Sequence, residues 1–429
     1  MAIYRLPPLS PTPSRTQPPM APSSIIIIGS GVFGLSTAHE LSHRPAFTTT
    51  TITLLDAHPF PTPHASSIDS SRIIRADYSD PLYAALAAEA QHHWRCADIG
   101  VGGVYTESGL VLVGDDCEYV AKSMRNVVAL FGVEKIQPLS DAAAIRRACG
   151  TGGVTGASGY VNRVSGWADA EAGMRRLRAR VEESGRVRFV VGEVVGLLGG
   201  GDGDGGVVEG VVLKDGTEMR AELTVLAAGA WSPGLVDLGG RAVPTGQVVG
   251  YVDLTEEEQR RYEGMPVILN FTTGLFVLPP RGRVLKVARH ALGYTSACGP
   301  VTGRGIPQEG EEALRAAVAE MVPALAGRGL DRTRLCWYTD TPTGDFLVCH
   351  HPQRRGLFVC TGGSGHAYKF LPVLGREVVD VLEGVEGARF GERWRWRERV
   401  REVVTGDGSR GGAGQVVLEE AWGAASDGV

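Results

Sequence analysis

The 429-residue sequence predicts an α/β protein: a parallel sheet opened by a βαβ unit, into which a β-sheet-rich domain is inserted. Three observations carry this expectation. Ile25–Ile28 is an unbroken apolar run, as expected of a strand buried on both faces of a parallel sheet. It leads directly into Gly29-Ser30-Gly31-Val32-Phe33-Gly34. A second glycine-rich strand end, Thr361-Gly362-Gly363-Ser364-Gly365, lies near the other end of the chain, so the first domain is expected to be closed by its last segment.

The elements follow in order. After the glycine turn, Leu35, Ala38 and Leu41 give a helical pattern, and Thr51–Leu55 reads as a second strand ending in Asp56. Asp80-Pro81 reads as N-cap and first helical position of a helix through Leu82, Leu86, Ala90 and Trp94. Asp169 opens another helix, which runs to Glu183 and stops at Gly185. Arg188–Val191 reads as a strand, and Gly210–Lys214 with Met219–Val225 as a hairpin turning at Asp215-Gly216. Gly199–Gly206 is a flexible polar insertion by composition. Thr224–Ala228 is a buried strand. From Arg241 to Ala291 the pattern is mostly β: Val243–Leu254, Pro266–Phe271, Leu275–Leu278 and Arg283–His290. A helix at Glu311–Leu325, a segment Asp345–His350, the strand Gly356–Cys360 and a helix from about Leu371 complete the pattern.

Composition narrows the function classes. A 43% hydrophobic, 21% charged chain with no apolar run near the roughly 18 residues of a membrane span fits a soluble globular protein, so no membrane role is expected. A net charge of −5 gives no concentrated basic face for nucleic acid. The seven cysteines are scattered without a CxxC pair, which fits a reducing compartment. His92-His93 and His350-His351 have no further ligand at compatible spacing, so no metal is assigned. Residues 1–23, rich in Pro, Ser and Thr, and the Gly/Ser-rich stretch 406–429 are expected to be disordered. The terminal Ser426-Asp427-Gly428-Val429 is not a peroxisomal tripeptide of the SKL type, leaving cytoplasm as the expected location. Trp94, Trp167 and Trp231 are assigned to the core.

Between a strand and a helix, GSGVFG reads as a dinucleotide-binding turn rather than an incidental one. Its glycines allow a tight turn, close backbone approach to a pyrophosphate and close helix–strand packing, and the helix N-terminus would face the phosphates. Asp56, 22 residues after Gly34, is placed to bind ribose hydroxyls and argues against a 2′-phosphate. Lys286 and His290 lie four apart on one expected strand and so face the same side, with Ala288 between them. A lysine between Leu285 and Val287 is unusual unless it lines a cavity or sits on an edge strand reaching solvent. Arg72 and Arg75 follow the loop after the second strand, where a guanidinium fork could match a carboxylate.

Six blocks, in order along nearly the whole chain, carry a family resemblance. They are Asp69-Ser-Ser-Arg-Ile-Ile-Arg75 with Ala76-Asp77-Tyr78, Ser165-Gly-Trp-Ala-Asp169, Ala227-Ala-Gly-Ala-Trp231, Lys286-Val-Ala-Arg-His290, Cys336-Trp-Tyr-Thr-Asp-Thr-Pro342 and Gly362-Gly-Ser-Gly-His-Ala-Tyr-Lys-Phe370. Their wording resembles monomeric sarcosine oxidase and its fungal relatives, the saccharopine, L-pipecolate and fructosyl amino acid oxidases. The saccharopine and pipecolate branch shares the Asp-Ser-Ser-Arg and Gly-Trp-Ala-Asp wording most closely.

The resemblance implies a glutathione-reductase-like FAD-binding domain of Rossmann type, built from residues 24–80, 155–240 and 338–400. Residues 81–154 and 241–337 would form the inserted substrate domain. It implies FAD joined through a thioether to Cys336, where the bland alternative is a small buried hydrophobe. Gly29, Gly31, Phe33, Gly34, Asp56, Ser71, Arg72, Val194, Gly363, Gly365, His366 and Lys369 complete the implied cofactor set. Lys286 would promote reduction of O2, with His290 beside it, while Arg75 and Lys369 would clamp a substrate carboxylate. The implied activity is oxidation of the C–N bond of an N-substituted amino acid, by a monomer, with O2 as acceptor. The imine formed would hydrolyse, and H2O2 would be released. A fructosyl amino acid oxidase or a tailoring amine oxidase of secondary metabolism is the near alternative. A non-catalytic FAD-binding module would be expected to lack Lys286, Arg75 or Lys369, and an NAD-dependent dehydrogenase would offer Cys336 no role. Residues from Val243 to Phe276 are expected to set the nitrogen substituent, and Ala367-Tyr368 departs from the Gly-Phe usual in the last block.

Overall fold

The computed structural model describes residues 21–96, 99–199, 206–400, 404–412 and 414–423. Most of the first expected disordered segment and of the 199–206 insertion therefore lies outside the described residues. Ala21–Ser23 are described, and Ser23 is tied to Glu222 by its N–H and hydroxyl.

Ser24–Ile28 (β1), Val32–His43 (α1) and Thr51–Asp56 (β2) form the βαβ unit. The apolar run of β1 is buried because it is paired on both edges, parallel to β2 and to Leu223–Leu226. The six-stranded sheet runs Leu347–His350, Leu357–Thr361, Leu223–Leu226, β1, β2, Val187–Val191, all parallel except the first. Its strands come from three distant stretches of chain, and helix Leu374–Leu382 from the last of them packs on α1. The expected hairpin strand Met219–Val225 is in fact two strands. Glu218–Arg220 pairs back onto Val208–Leu213, whereas Leu223–Leu226 crosses into the parallel sheet.

A ten-stranded sheet carries the other half of the molecule. Its long strand Val243–Asp253 pairs with Val284–Arg289 on one edge and with Arg332–Asp340 on the other. Lys286 stands opposite Tyr251, and Cys336 opposite Gln247. Period-two alternation therefore puts Gln247, Val249, Tyr251, Lys286, Ala288, Arg334 and Cys336 on one face. The alternate residues Val248, Val252, Leu285, Val287 and Trp337 share an apolar core with Leu314, Ala317 and Val318 of helix Gln308–Met321. One face thus serves packing, and the other carries polar chemistry toward the six-stranded sheet's glycine turns.

Two boundaries are corrected. Ser158–Asn162, expected in the nucleotide domain, pairs with Leu110–Gly114 inside the ten-stranded sheet. The expected disordered stretch from 406 is instead built into the fold as far as it is described. Arg410 ion-pairs with Asp340 (2.5 Å) and donates to the carbonyls of Ser364 and Ala291 (2.8 Å each). Val416–Val417 then pairs with Tyr294–Thr295, and Leu418–Gly423 is helical. Composition misled here because the ordering comes from one buried ion pair and backbone pairing, which Gly and Ser content does not preclude.

Candidate active site

A cavity of about 650 Å³ runs past the carboxyl ends of the parallel strands, where ligands sit in open α/β sheets. Gly29, Gly31, Phe33, Asp56, Val194, Gly363, Gly365 and His366 all line it. Gly29 has φ +101°, and a Cβ there would lie 2.5 Å from the Ala227 carbonyl oxygen, so only glycine fits the turn. No side chain caps α1 at Gly31, which leaves its first backbone N–H groups directed to whatever fills the cavity. Asp56 fixes the turn by accepting the Ser30 N–H (2.8 Å) and hydroxyl (2.6 Å).

The wall also holds two buried hydroxyls without hydrogen-bond partners among the described residues, Ser67 and Thr62. Buried polar groups are normally satisfied, so these orphans fit a ligand rich in oxygen acceptors such as the pyrophosphate and sugar portions of FAD. Neither was singled out from sequence, because a lone Ser or Thr in a loop carries no pattern. Three expectations are corrected. Gly34 does not line the cavity; its missing Cβ lets α1 pack against the Gly29 carbonyl. Ser71 also stands off both cavity walls and acts through its carbonyl, which accepts from Lys286 (2.8 Å) and Arg72 (3.1 Å). Trp231 is not core: it is 38% exposed and lines the cavity.

A second, smaller cavity of about 70 Å³ shares Arg72, Tyr338, Gly365, His366 and Tyr368 with the first. Arg75, Lys286, His290, Cys336 and Lys369 line it, from four separate segments of chain. Gln247, Val249 and Phe276, from the stretch expected to set specificity, are on the same wall.

Asp69 organises one part of it. Its carboxylate is in ion-pair contact with Arg72, Lys286 (2.7 Å) and Arg334 (3.2 Å), and accepts the Tyr251 hydroxyl (2.9 Å). Burial opposes its ionisation, but Lys286, Arg72 and Arg334 together hold it well below the usual carboxylate range. For Lys286, burial and the neighbouring Arg72 outweigh Asp69 and pull the ammonium down to about 7. Both Arg72 (3.6 Å) and Arg334 (3.9 Å) point a guanidinium N–H at the Cys336 sulfur. Arg334 was missed from sequence, although its place two residues before Cys336 puts it on the same strand face.

Arg75 and Lys369 lie elsewhere on the wall. Arg75 is stacked over Tyr78 (4.9 Å) and Phe271 (5.2 Å) and bonds the Asp77 carbonyl. Asp77, also missed, is held in turn by Tyr160, Asn162 and Ser165. Lys369 donates to the His366 carbonyl at 2.9 Å. Neither cation forms an ion pair with a described residue, and burial with the Arg75 charge pulls Lys369 well below its ordinary value. Burial and the cations Arg410 and Arg75 likewise keep His290 neutral.

A family model described as FAD dependent oxidoreductase matches residues 24–381. Amino acid oxidase imqH of Aspergillus flavus is 33% identical, over 86% of this chain and 95% of its own length. L-saccharopine oxidase of Schizosaccharomyces pombe is 31% identical, over 87% and 93% respectively. Among solved structures, the fructosamine oxidase Amadoriase II of Aspergillus fumigatus superposes with a TM-score of 0.79 at 28% identity, covering 92% of this chain and 95% of its own. The match over most of the chain, to a cavity whose glycine cradle suits the cofactor, shows that this protein belongs to the FAD-dependent oxidoreductase family.

Proposed function

We propose that the protein oxidises the C–N bond of an N-substituted amino acid to an imine, which hydrolyses, with O2 reduced to H2O2. The observation that carries this reading is the pair Arg75 and Lys369: two buried cations without an ion-pair partner among the described residues, in a small cavity that shares wall residues with the nucleotide cavity. Asp77 and Asp407 act on both cations only from beyond ion-pair distance, so the pair suits a ligand that brings a carboxylate into direct contact. Arg75 presents a planar fork and Lys369 a point charge, fixing one end of an amino acid. Bound FAD supplies the two-electron acceptor that no side chain can.

The protein's own contribution is position and charge. In this reading Arg72 and Tyr338, on the wall shared by both cavities, orient the cofactor's reacting end. Lys286, anchored by Asp69, supplies positive charge for the reduction of O2. Cys336 is the proposed point of covalent attachment, its sulfur faced by two guanidinium groups. The pure protein should then be yellow and keep its colour in the pellet after acid precipitation, while Cys336→Ser should release it. The relatives' names favour saccharopine-type or related secondary amino acids. The amadoriase neighbours support fructosyl amino acids as a second reading. A peroxide assay over N-methyl, cyclic, dicarboxylic and fructosyl amino acids tests the proposal; silence across the whole panel, with flavin bound, would overturn it.

A further inference from the structure

The segment Gly406–Gly412 brings a short hydrogen-bonded line to the small cavity. The Ser409 hydroxyl lies 2.5 Å from Asp407 Oδ1 and 3.2 Å from His290 Nε2, and the Ser409 N–H also donates to Asp407 Oδ1 (3.0 Å). Burial opposes ionisation of Asp407, but His366, the Ser409 hydrogen bonds and Arg410 prevail and hold its carboxyl below the ordinary value. An ionised carboxylate only accepts, so the single Ser409 proton points at Asp407. Toward His290 the hydroxyl can then only accept. Nε2 must therefore carry the ring's N–H.

The second ring nitrogen is left with its lone pair. His290 is buried and surrounded by Arg410, Arg75, His366 and Lys369, so a second proton on the ring is disfavoured. Nδ1 has no hydrogen-bond partner among the described residues. The ring lines the small cavity, and its Cε1 edge faces Gly365, on the wall shared with the large one.

We propose that Asp407 and Ser409 are positioning residues that fix His290 as the Nε2–H tautomer, so that Nδ1 accepts the N–H of a neutral secondary amine. This rests on the oxidase reading above and deepens it. The hydrogen bond orients the nitrogen lone pair for C–N oxidation; no proton is transferred to the ring. The sequence hides the device, since its last members lie in a Gly/Ser-rich stretch.

Two readouts test it on the flavin-loaded protein. In 15N-histidine NMR spectra, the His290 signal, assigned by its loss in His290→Gln, should show a neutral Nε2–H ring. Ser409→Ala should shift it toward the other tautomer, and Ser409→Thr should restore it. In anaerobic stopped flow, Ser409→Ala should slow flavin reduction by substrate roughly tenfold, the equivalent of one lost hydrogen bond. It should leave acetate affinity unchanged and have no further effect in a His290→Gln background. An Nδ1–H ring in the wild type, or equal slowing with and without His290, would overturn the proposal. If no N-substituted amino acid reduces the wild-type flavin, the oxidase reading falls, while the NMR spectrum still decides the tautomer.

Discussion

Two pairs of buried cations line the same small cavity, and the protein treats them oppositely. Arg72 and Lys286 share a resident anion, Asp69, together with Arg334 and the Tyr251 hydroxyl. Arg75 and Lys369 contact carbonyls and aromatic side chains, form no ion pair with a described residue, and feel the carboxylates of Asp77 and Asp407 only from beyond ion-pair distance. The first pair has a carboxylate in direct ion-pair contact before any ligand arrives, and the second has none among the described residues. That difference is why the proposed carboxylate site is assigned to Arg75 and Lys369 rather than to the more conspicuous strand lysine.

The comparison breaks most violently at Asp69. Asp69→Asn removes the anion and leaves three cations facing one another, so it should destabilise the protein by about 3–5 kcal/mol, as measured by denaturant midpoint. A wild-type midpoint would mean that the cluster is solvated and the first pair does not depend on Asp69. Next in size is Lys286→Met. Loss of a preorganised charge should slow reoxidation by O2 by about 10²-fold while reduction by substrate changes far less. Equal slowing of the two half-reactions would contradict the assigned role.

The second pair gives smaller, sharper effects. Arg75→Ala should raise KM for carboxylated substrates roughly ten- to a hundredfold, since hydrogen bonds to charged groups contribute about 1.5–3 kcal/mol. Arg75→Lys should recover only part of this because an ammonium lacks the planar fork. The smallest effect concerns pH. Lys369 is depressed in the free site, and a bound carboxylate would restore its proton. Binding should therefore take up a proton, and acetate affinity should fall as pH rises above the free-site value. Calorimetry in two buffers of different ionisation heat reads that uptake directly; none observed would remove Lys369 from the clamp.

The two ends of the site also differ in how far sequence revealed them. The nucleotide end is built by backbone: Gly29 is needed for its positive φ and its close approach to Ala227, so a local pattern reports it. Lys286 was legible because strand alternation fixes its face, and Cys336 only through the wording of its family-like block. Asp69, Arg334, Asp77 and Ser409 meet partners 83 to 266 residues away, and no local spacing encodes such a meeting. Gly34 keeps only the helix–strand packing part of what the turn's pattern implies, since a glycine that admits a ligand and one that admits the preceding strand look alike in sequence.

Arg410 has a consequence for the order in which the molecule can be assembled. It joins Asp340, Ser364 and Ala291, groups from three segments that leave the ribosome before it. Synthesis runs from the N-terminus, and chains of this size fold in stages. A nascent chain that has released Leu357–Thr361 can close its nucleotide sheet, yet on the proposed tautomer His290 has no fixed proton until Asp407 and Ser409 have followed. The sheet that carries the glycine turns can thus mature while the wall of the smaller cavity is still unfinished.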